Sequence, residues 1–420
     1  MPPATPGHAV HSTPGSTPLV PEAGPGATTT FHLRPAQGWL NDPNGMVRHE
    51  GRWHAFFQHN PDAPRHDAIA WGHCSSADLV TWREHPVAFT PTPGGPDGSG
   101  CWSGVFVPGL SRPAVVYSGL AGPGLTSTVC LRWGSGADLD EWSAPVVVAR
   151  QPEADGVAVM RDPFVLTHEG HRFALVGAGL DDGTPAVLLY SCDDIEAWDY
   201  LGVWLRGADL PSPGAGPADV WECPQLAVEG ERAALLLSLH DDGVLGDVVA
   251  CAGRLVDDGG RPRLEVEDVG VLDRGDAFYA PQIADDGGEG WWLMGWVRED
   301  GQQPGGKDQA GCLTLPRRLT VDPSGVRLEL DPAVGETLPL GPARAAEGEL
   351  PPAAVVEVGP AGAELVHPAI GTRALPEGTR AVVDGDVLEV YPPDAVPATF
   401  RHPVAWQVRG DAELRPVLRP

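Results

Sequence analysis

The chain has 420 residues, 42% of them hydrophobic, enough to bury a full core in one large domain or two, which excludes a disordered or fibrous protein. Asp and Glu number 57 against 28 Lys and Arg, and the formal charge of −29 repels a phosphate backbone or an anionic membrane surface, so neither nucleic acid nor membrane is an expected partner. Lys307 is the single lysine and follows no strand, which removes Schiff-base chemistry and a phosphate-loop lysine.

Residues 1–30, rich in Pro, Thr, Gly and Ala, lack the basic flank and apolar stretch of an export signal and are expected to form a disordered tail. No later run approaches the roughly 18 apolar residues of a membrane span. The 54 Gly and 45 Pro break the chain into short runs rich in Val, Leu, Phe and Trp, so a nearly all-β protein is predicted. One pattern, a polar or small residue followed by an apolar strand, a turn and a second apolar strand, recurs at 43–58, 103–118, 163–177, 224–239 and 281–297. In the first three units Asp78-Leu79 precedes Trp82, Asp138-Leu139 precedes Trp142, and Asp194-Ile195 precedes Trp198. Two registers with one period predict a five-bladed β-propeller over 31–318, against the alternative of an irregular sandwich. After Arg318 the period ends, and strand-like runs around the Asp384-Gly385 turn predict a small, reduced β-sandwich over 319–420.

Three carboxylates, Asp42, Asp162 and Glu222, fall near the start of the first strand in the first, third and fourth units. In a propeller that position lies beside the central channel, so three acids from separate blades are expected at one mouth. Like charges crowded in a partly dry funnel drive one pKa up while an arginine or hydrogen bonds hold the others down, which supplies an acid and a nucleophile at neutral pH. That is the equipment of a retaining glycosidase.

The chain resembles glycoside hydrolase family 32, the β-fructofuranosidases, including invertases and levanases. The resemblance rests on Asn41-Asp42-Pro43-Asn44-Gly45, Phe57-Gln58-His59-Asn60-Pro61, Trp71-Gly72-His73 and Trp102-Ser103-Gly104. It continues through Arg161-Asp162-Pro163, Glu222-Cys223-Pro224, Phe278-Tyr279-Ala280-Pro281-Gln282 and Leu313-Thr314-Leu315-Pro316-Arg317. It implies a five-bladed propeller followed by a β-sandwich, with fructose released from sucrose or short fructo-oligosaccharides. By the same resemblance Asp42 is the nucleophile, Glu222 the general acid/base and Asp162 the transition-state stabiliser. Arg161 would hold local charge in place, Asn41, Gln58, Trp71, Trp102 and Ser103 would line the fructose pocket, and Asp273 would stand on the leaving-group side. Trp102 occupies a place where Phe is frequent in the family, and Gln225 one where Asp or Asn is common.

No metal or organic cofactor is expected. His49, His54, His59, His66, His73 and His85 crowd the first unit, but their spacings repeat no ligand pattern. The seven cysteines, Cys74, Cys101, Cys130, Cys192, Cys223, Cys251 and Cys312, are odd in number and scattered, which predicts free thiols in the cytoplasm, with Cys223 structural rather than nucleophilic. Three rival functions share parts of this pattern: a fructosyltransferase, an inverting arabinan or xylan hydrolase, and a sugar-binding propeller without catalysis.

Overall fold

The computed structural model describes residues 31–122, 127–211, 214–285, 290–299, 308–403 and 405–418. The expected tail at 1–30 lies outside the described residues, as does Lys307. Five antiparallel sheets succeed one another along the chain as propeller blades. Their first strands, Gly38–His49, Gly100–Phe106, Val157–His168, Val220–Glu229 and Phe278–Asp285, each lie against the first strands of both neighbouring blades, and the fifth against the first, so the ring is closed. A late segment, Gln309–Ala310, pairs in parallel with Gly38 and Trp39 and adds an edge to the first blade. Beside it, Gly311 has φ +83°, and a Cβ there would come within 1.8 Å of the Leu40 carbonyl oxygen, so only glycine permits this approach.

The second strands explain the apolar runs in the sequence. In Arg52–Asn60 every residue from His54 onward is buried, and Ala114–Leu120 is buried along its whole length. Neighbouring blades cover both faces of each sheet, so polar and apolar residues need not alternate. The Asp-Leu and Asp-Ile pairs mark the turn into each blade's outer edge. Asp78 Oδ1 accepts from the backbone N–H groups of Val80 and Thr81, while the Trp142 and Trp198 indoles donate to the carbonyls of Leu139 and Ile195.

Every first strand also loses register with its partner at one equivalent place: Leu40/Pro43, Cys101/Gly104, Arg161/Pro163, Glu222/Gln225 and Tyr279/Gln282. A bulge of this kind re-aims side chains and tightens the local twist. Asp162, Cys223 and Ala280, all within these breaks, have φ of +62°, +48° and +44°. Left-handed backbone is costly for non-glycine residues and persists only where the surroundings enforce it.

The fifth blade is completed by Arg317–Asp322 and Gly325–Leu330. The expected division after Arg318 therefore falls inside a blade strand, and sheet membership supports a division after Leu330. A single helical turn, Pro332–Thr337, follows, with the Asp331 side chain accepting from the Ala333 N–H at its start.

The remainder is linked into one eight-stranded sheet that folds over itself, in keeping with the small sandwich expected there. Its long strand Ala353–His367 breaks register between Val358 and Ala363, and the two halves take different neighbours, Arg380–Asp384 and Gly371–Leu375. The sheet encloses its own core, which includes Val356, Leu365, Val383, Leu388, Phe400 and Trp406. It joins the propeller through buried charge: Arg317 donates to Asp273 and Glu389, and His32 lies between Asp384 and Glu389.

Candidate active site

At one mouth of the central channel a pocket of about 340 Å³ is lined by Asp42, Asp162 and Glu222, together with Asn41, Gln58, Trp102 and Arg161. The three acids come from three different blades, and each stands in the register break of its first strand or just beside it. The bulges thus turn the equivalent positions of a repeat toward a common axis.

Asp42 is held by four donors. Asn41 Nδ2 reaches Oδ1 at 3.1 Å, while Ser103 Oγ at 2.6 Å, Gln58 Nε2 at 3.1 Å and Cys223 Sγ at 3.7 Å all reach Oδ2. Burial nevertheless pushes its pKa up to about 6; the Ser103 bond opposes this and the charge of Glu222 adds to it. Asp162 accepts from the Cys223 N–H at 3.1 Å and from Ser118 Oγ at 3.4 Å. Burial and the neighbouring Glu222 push it to about 7, with Arg161 pulling the other way. Glu222 Oε1 accepts from Arg161 Nη1 at 2.8 Å, and Oε2 from the Tyr279 hydroxyl at 2.8 Å. Burial holds the Tyr279 pKa well above its ordinary value, so this phenol stays a donor. The site thus brings together three interacting carboxylates, two of them with pKa values drawn toward neutrality.

Seven of the ten residues expected at the site line the pocket, and an eighth, Ser103, lies beneath it against Asp42. The other two do not reach it. Trp71 is fully buried in a separate cluster with Phe56, Phe89 and Tyr117, and its indole donates to the Trp102 carbonyl at 3.0 Å, so it supports the wall from behind. Asp273 follows the outermost strand of the fourth blade, Pro262–Val271, and so stands away from the channel. There it accepts from Arg317 Nη1 at 2.8 Å and Thr399 Oγ1 at 2.7 Å, joining the propeller to the C-terminal sheet.

The pocket also includes Trp39, His66, His240, Leu245, Tyr279 and Trp296, none of which was expected there from sequence. Trp39 directly precedes the Asn-Asp-Pro-Asn-Gly motif, and Tyr279 lies within a matched motif; those two carried a readable signal.

Among the described residues, His73, His85 and Asp140 are the one trio close enough to hold a metal ion. The His73 and His85 rings stack at 4.2 Å with 24° between their planes, so their in-plane lone pairs run side by side instead of converging. Asp140 Oδ1 stands 2.9 Å from His85 Nδ1 and 3.4 Å from His73 Nδ1, and burial lowers the pKa of both rings, so this is a hydrogen-bonded stack that sequence spacing missed because the acid belongs to the second blade. All seven cysteines are buried and unpaired, as the sequence reading expected. Among the described residues no helix is long and apolar enough to cross a membrane.

Residues 32–332 match the family model described as the glycosyl hydrolases family 32 N-terminal domain. The chain is 33% identical over 321 residues to a sucrose-6-phosphate hydrolase of Bacillus subtilis (strain 168), covering 72% of this chain and 64% of that protein. It is 29% identical to an insoluble beta-fructofuranosidase isoenzyme of Arabidopsis thaliana, covering 71% and 54%. The match thus spans less than two thirds of the length of either relative. The fold resembles that of a Bombyx mori GH32 beta-fructofuranosidase, with TM-score 0.76, 20% identity and 94% of each chain covered. It also resembles that of a sucrose-6-phosphate hydrolase from Lactobacillus gasseri, with TM-score 0.77, 19% identity and 94% and 93% covered.

Proposed function

The chain belongs to glycosyl hydrolase family 32, and we propose that it is a retaining β-fructofuranosidase that releases fructose from sucrose or short β-fructosides. The observation that carries this reading is the convergence of Asp42, Asp162 and Glu222 on one pocket, with Asp42 anchored by Asn41, Gln58 and Ser103. In the first step an Asp42 oxygen attacks the anomeric carbon of the fructosyl unit. The bond to the leaving oxygen breaks, and Glu222 gives that oxygen its proton. Glu222 then takes a proton from water, which attacks the fructosyl ester and frees fructose and Asp42. Positive charge developing on the ring is met by Asp162, and Arg161 keeps Glu222 in place.

Three carboxylates so close retain a proton among them near neutrality, because not all can ionise without mutual repulsion. That proton has to be on Glu222 for the first step, and Asp42 has to be ionised. Trp39, Trp102 and Trp296 add flat apolar surface against which sugar rings stack. By the same reading the protein works in the cytoplasm on sugars already inside the cell, a location supported by its seven buried, unpaired thiols.

Incubation with sucrose and with 1-kestose, with free fructose and free glucose measured separately, tests the reading. Fructose equal to glucose from sucrose supports hydrolysis. A deficit of free fructose indicates transfer to a sugar acceptor, and no release from either substrate overturns the proposal.

A further inference from the structure

His66 lies between the strands Arg52–Asn60 and Ala70–Ser76 and lines the pocket. Its Nε2 stands 3.2 Å from Gln58 Oε1. An amide oxygen can only accept, so His66 must supply the N–H. On the other side of that amide, Gln58 Nε2 has two acceptors for its two hydrogens, Asp42 Oδ2 at 3.1 Å and Ser103 Oγ at 2.6 Å. Ser103 in turn passes its own hydrogen to Asp42 Oδ2 at 2.6 Å. With the amide turned over, Oε1 would face the Asp42 carboxylate, a repulsion between two acceptors, so Oε1 points to His66.

The imidazole is itself confined, edge-on to Trp39 at 6.4 Å and to Trp102 at 5.8 Å. Burial lowers its pKa, with the charges of Asp67 and Glu222 opposing. A neutral ring carries one N–H, and Gln58 requires it at Nε2. The chain His66, Gln58, Ser103, Asp42 therefore has a single consistent direction of donation, ending at the carboxylate.

We propose that His66 is a positioning residue: by donating to Gln58 Oε1 it braces the amide in the orientation that holds the attacking carboxylate. The proposal rests on the reading of Asp42 as nucleophile. Besides this chain, the titratable and charged groups around Asp42 are Glu222, Asp162, Cys223 and Tyr279, with Arg161 beside Asp162; of these Glu222 also interacts with His66.

The test compares His66→Phe, which keeps a ring between the two tryptophans but removes the donor, with His66→Gln, which keeps a donor. Each variant is first checked for wild-type circular dichroism. His66→Phe is expected to lose about tenfold in kcat on sucrose with KM changed by less than about threefold. The acid limb of its pH profile should move upward, because Asp42 loses an oriented donor that favours its ionised form. His66→Gln should recover most of the kcat and return the limb. A folded His66→Phe with wild-type kcat and an unmoved limb overturns the role, as does a His66→Gln no better than His66→Phe. Failure of His66→Phe to fold transfers the test to His66→Gln, whose loss of kcat to a tenth or less then overturns it. If the wild-type protein releases no fructose, the reading of the whole site fails and this role fails with it.

Discussion

Arg161 reaches Glu222 Oε1 with its Nη1 at 2.8 Å, and the next residue in the chain is Asp162. Two of the three acids are therefore governed by one short segment of the third blade. One guanidinium fixes the acid of the neighbouring blade while the adjacent bulge aims its own.

Replacing Glu222 by Gln removes the proposed proton donor and leaves an amide of similar shape. The rate on sucrose should fall by about 10²–10⁴, the usual worth of general acid/base catalysis. An activated aryl fructoside, whose leaving group needs no proton, should keep much of its first-step rate in a stopped-flow burst. Equal loss for both substrates would show that Glu222 is not the acid.

Asp42→Asn should abolish turnover without loss of thermal stability. The carboxyl has a folded pKa of about 6 against an ordinary 3.8, so the folded state favours the proton and loses stability as pH rises from 3.8 through 6. An amide removes that ionisation cost. A scanning calorimetry run at pH 7 should give a midpoint at or above that of the wild type; a clear drop would argue that Asp42 is chiefly structural.

The acid limb of kcat/KM should lie near pH 6 if Asp42 is the proposed nucleophile, which attacks only when ionised. The charge of Asp42 raises Asp162, and the coupling is reciprocal, so an ionised Asp162 raises Asp42 in turn. Asp162→Asn should therefore shift the limb to lower pH while reducing the rate, and a limb that stays put or rises would separate the two groups electrostatically. The limb belongs to the coupled cluster and not to one residue.

The joint between propeller and C-terminal sheet should show its own pH dependence. Burial alone would lower His32, but bonds to Asp384 and Glu389 prevail and raise it to about 9. That stabilisation is complete below the ordinary histidine value of 6.5 and is lost as pH rises through 9. For Glu389 burial acts upward, while Arg317 and His32 outweigh it and hold the pKa at about 2, so its contribution is present above 4.5 and is lost as pH falls toward 2. Arg317→Met should cost about 3–5 kcal/mol, since Asp273 is left buried without its cation and Glu389 keeps only His32. Urea melts at pH 7 measure that loss, and His32→Gln should flatten the decline between pH 6.5 and 9; a wild-type slope in that variant would exclude His32 as its source.

The local pattern of the chain was enough to determine the blade repeat and to single out Asp42, Asp162 and Glu222. A strand, its turn and its bulge are written within one unit, and repeating the unit repeats the placement of its first residues. The family resemblance put Trp71 in the pocket, whereas the strand Ala70–Ser76 is buried on both faces and carries the ring into a separate cluster. Asp273 lies close in sequence to the fifth blade's first strand, yet its partners Arg317 and Thr399 are 44 and 126 residues away. No periodicity encodes such a meeting. His66 looked like one of several scattered histidines until closure of the ring brought Trp102 of the next blade to its edge and left Gln58 as its acceptor. Residue type and spacing settle what a segment does within its own few strands. Which buried polar groups face each other across blades is decided only when packing excludes water, because each donor and acceptor must then find its partner inside the protein.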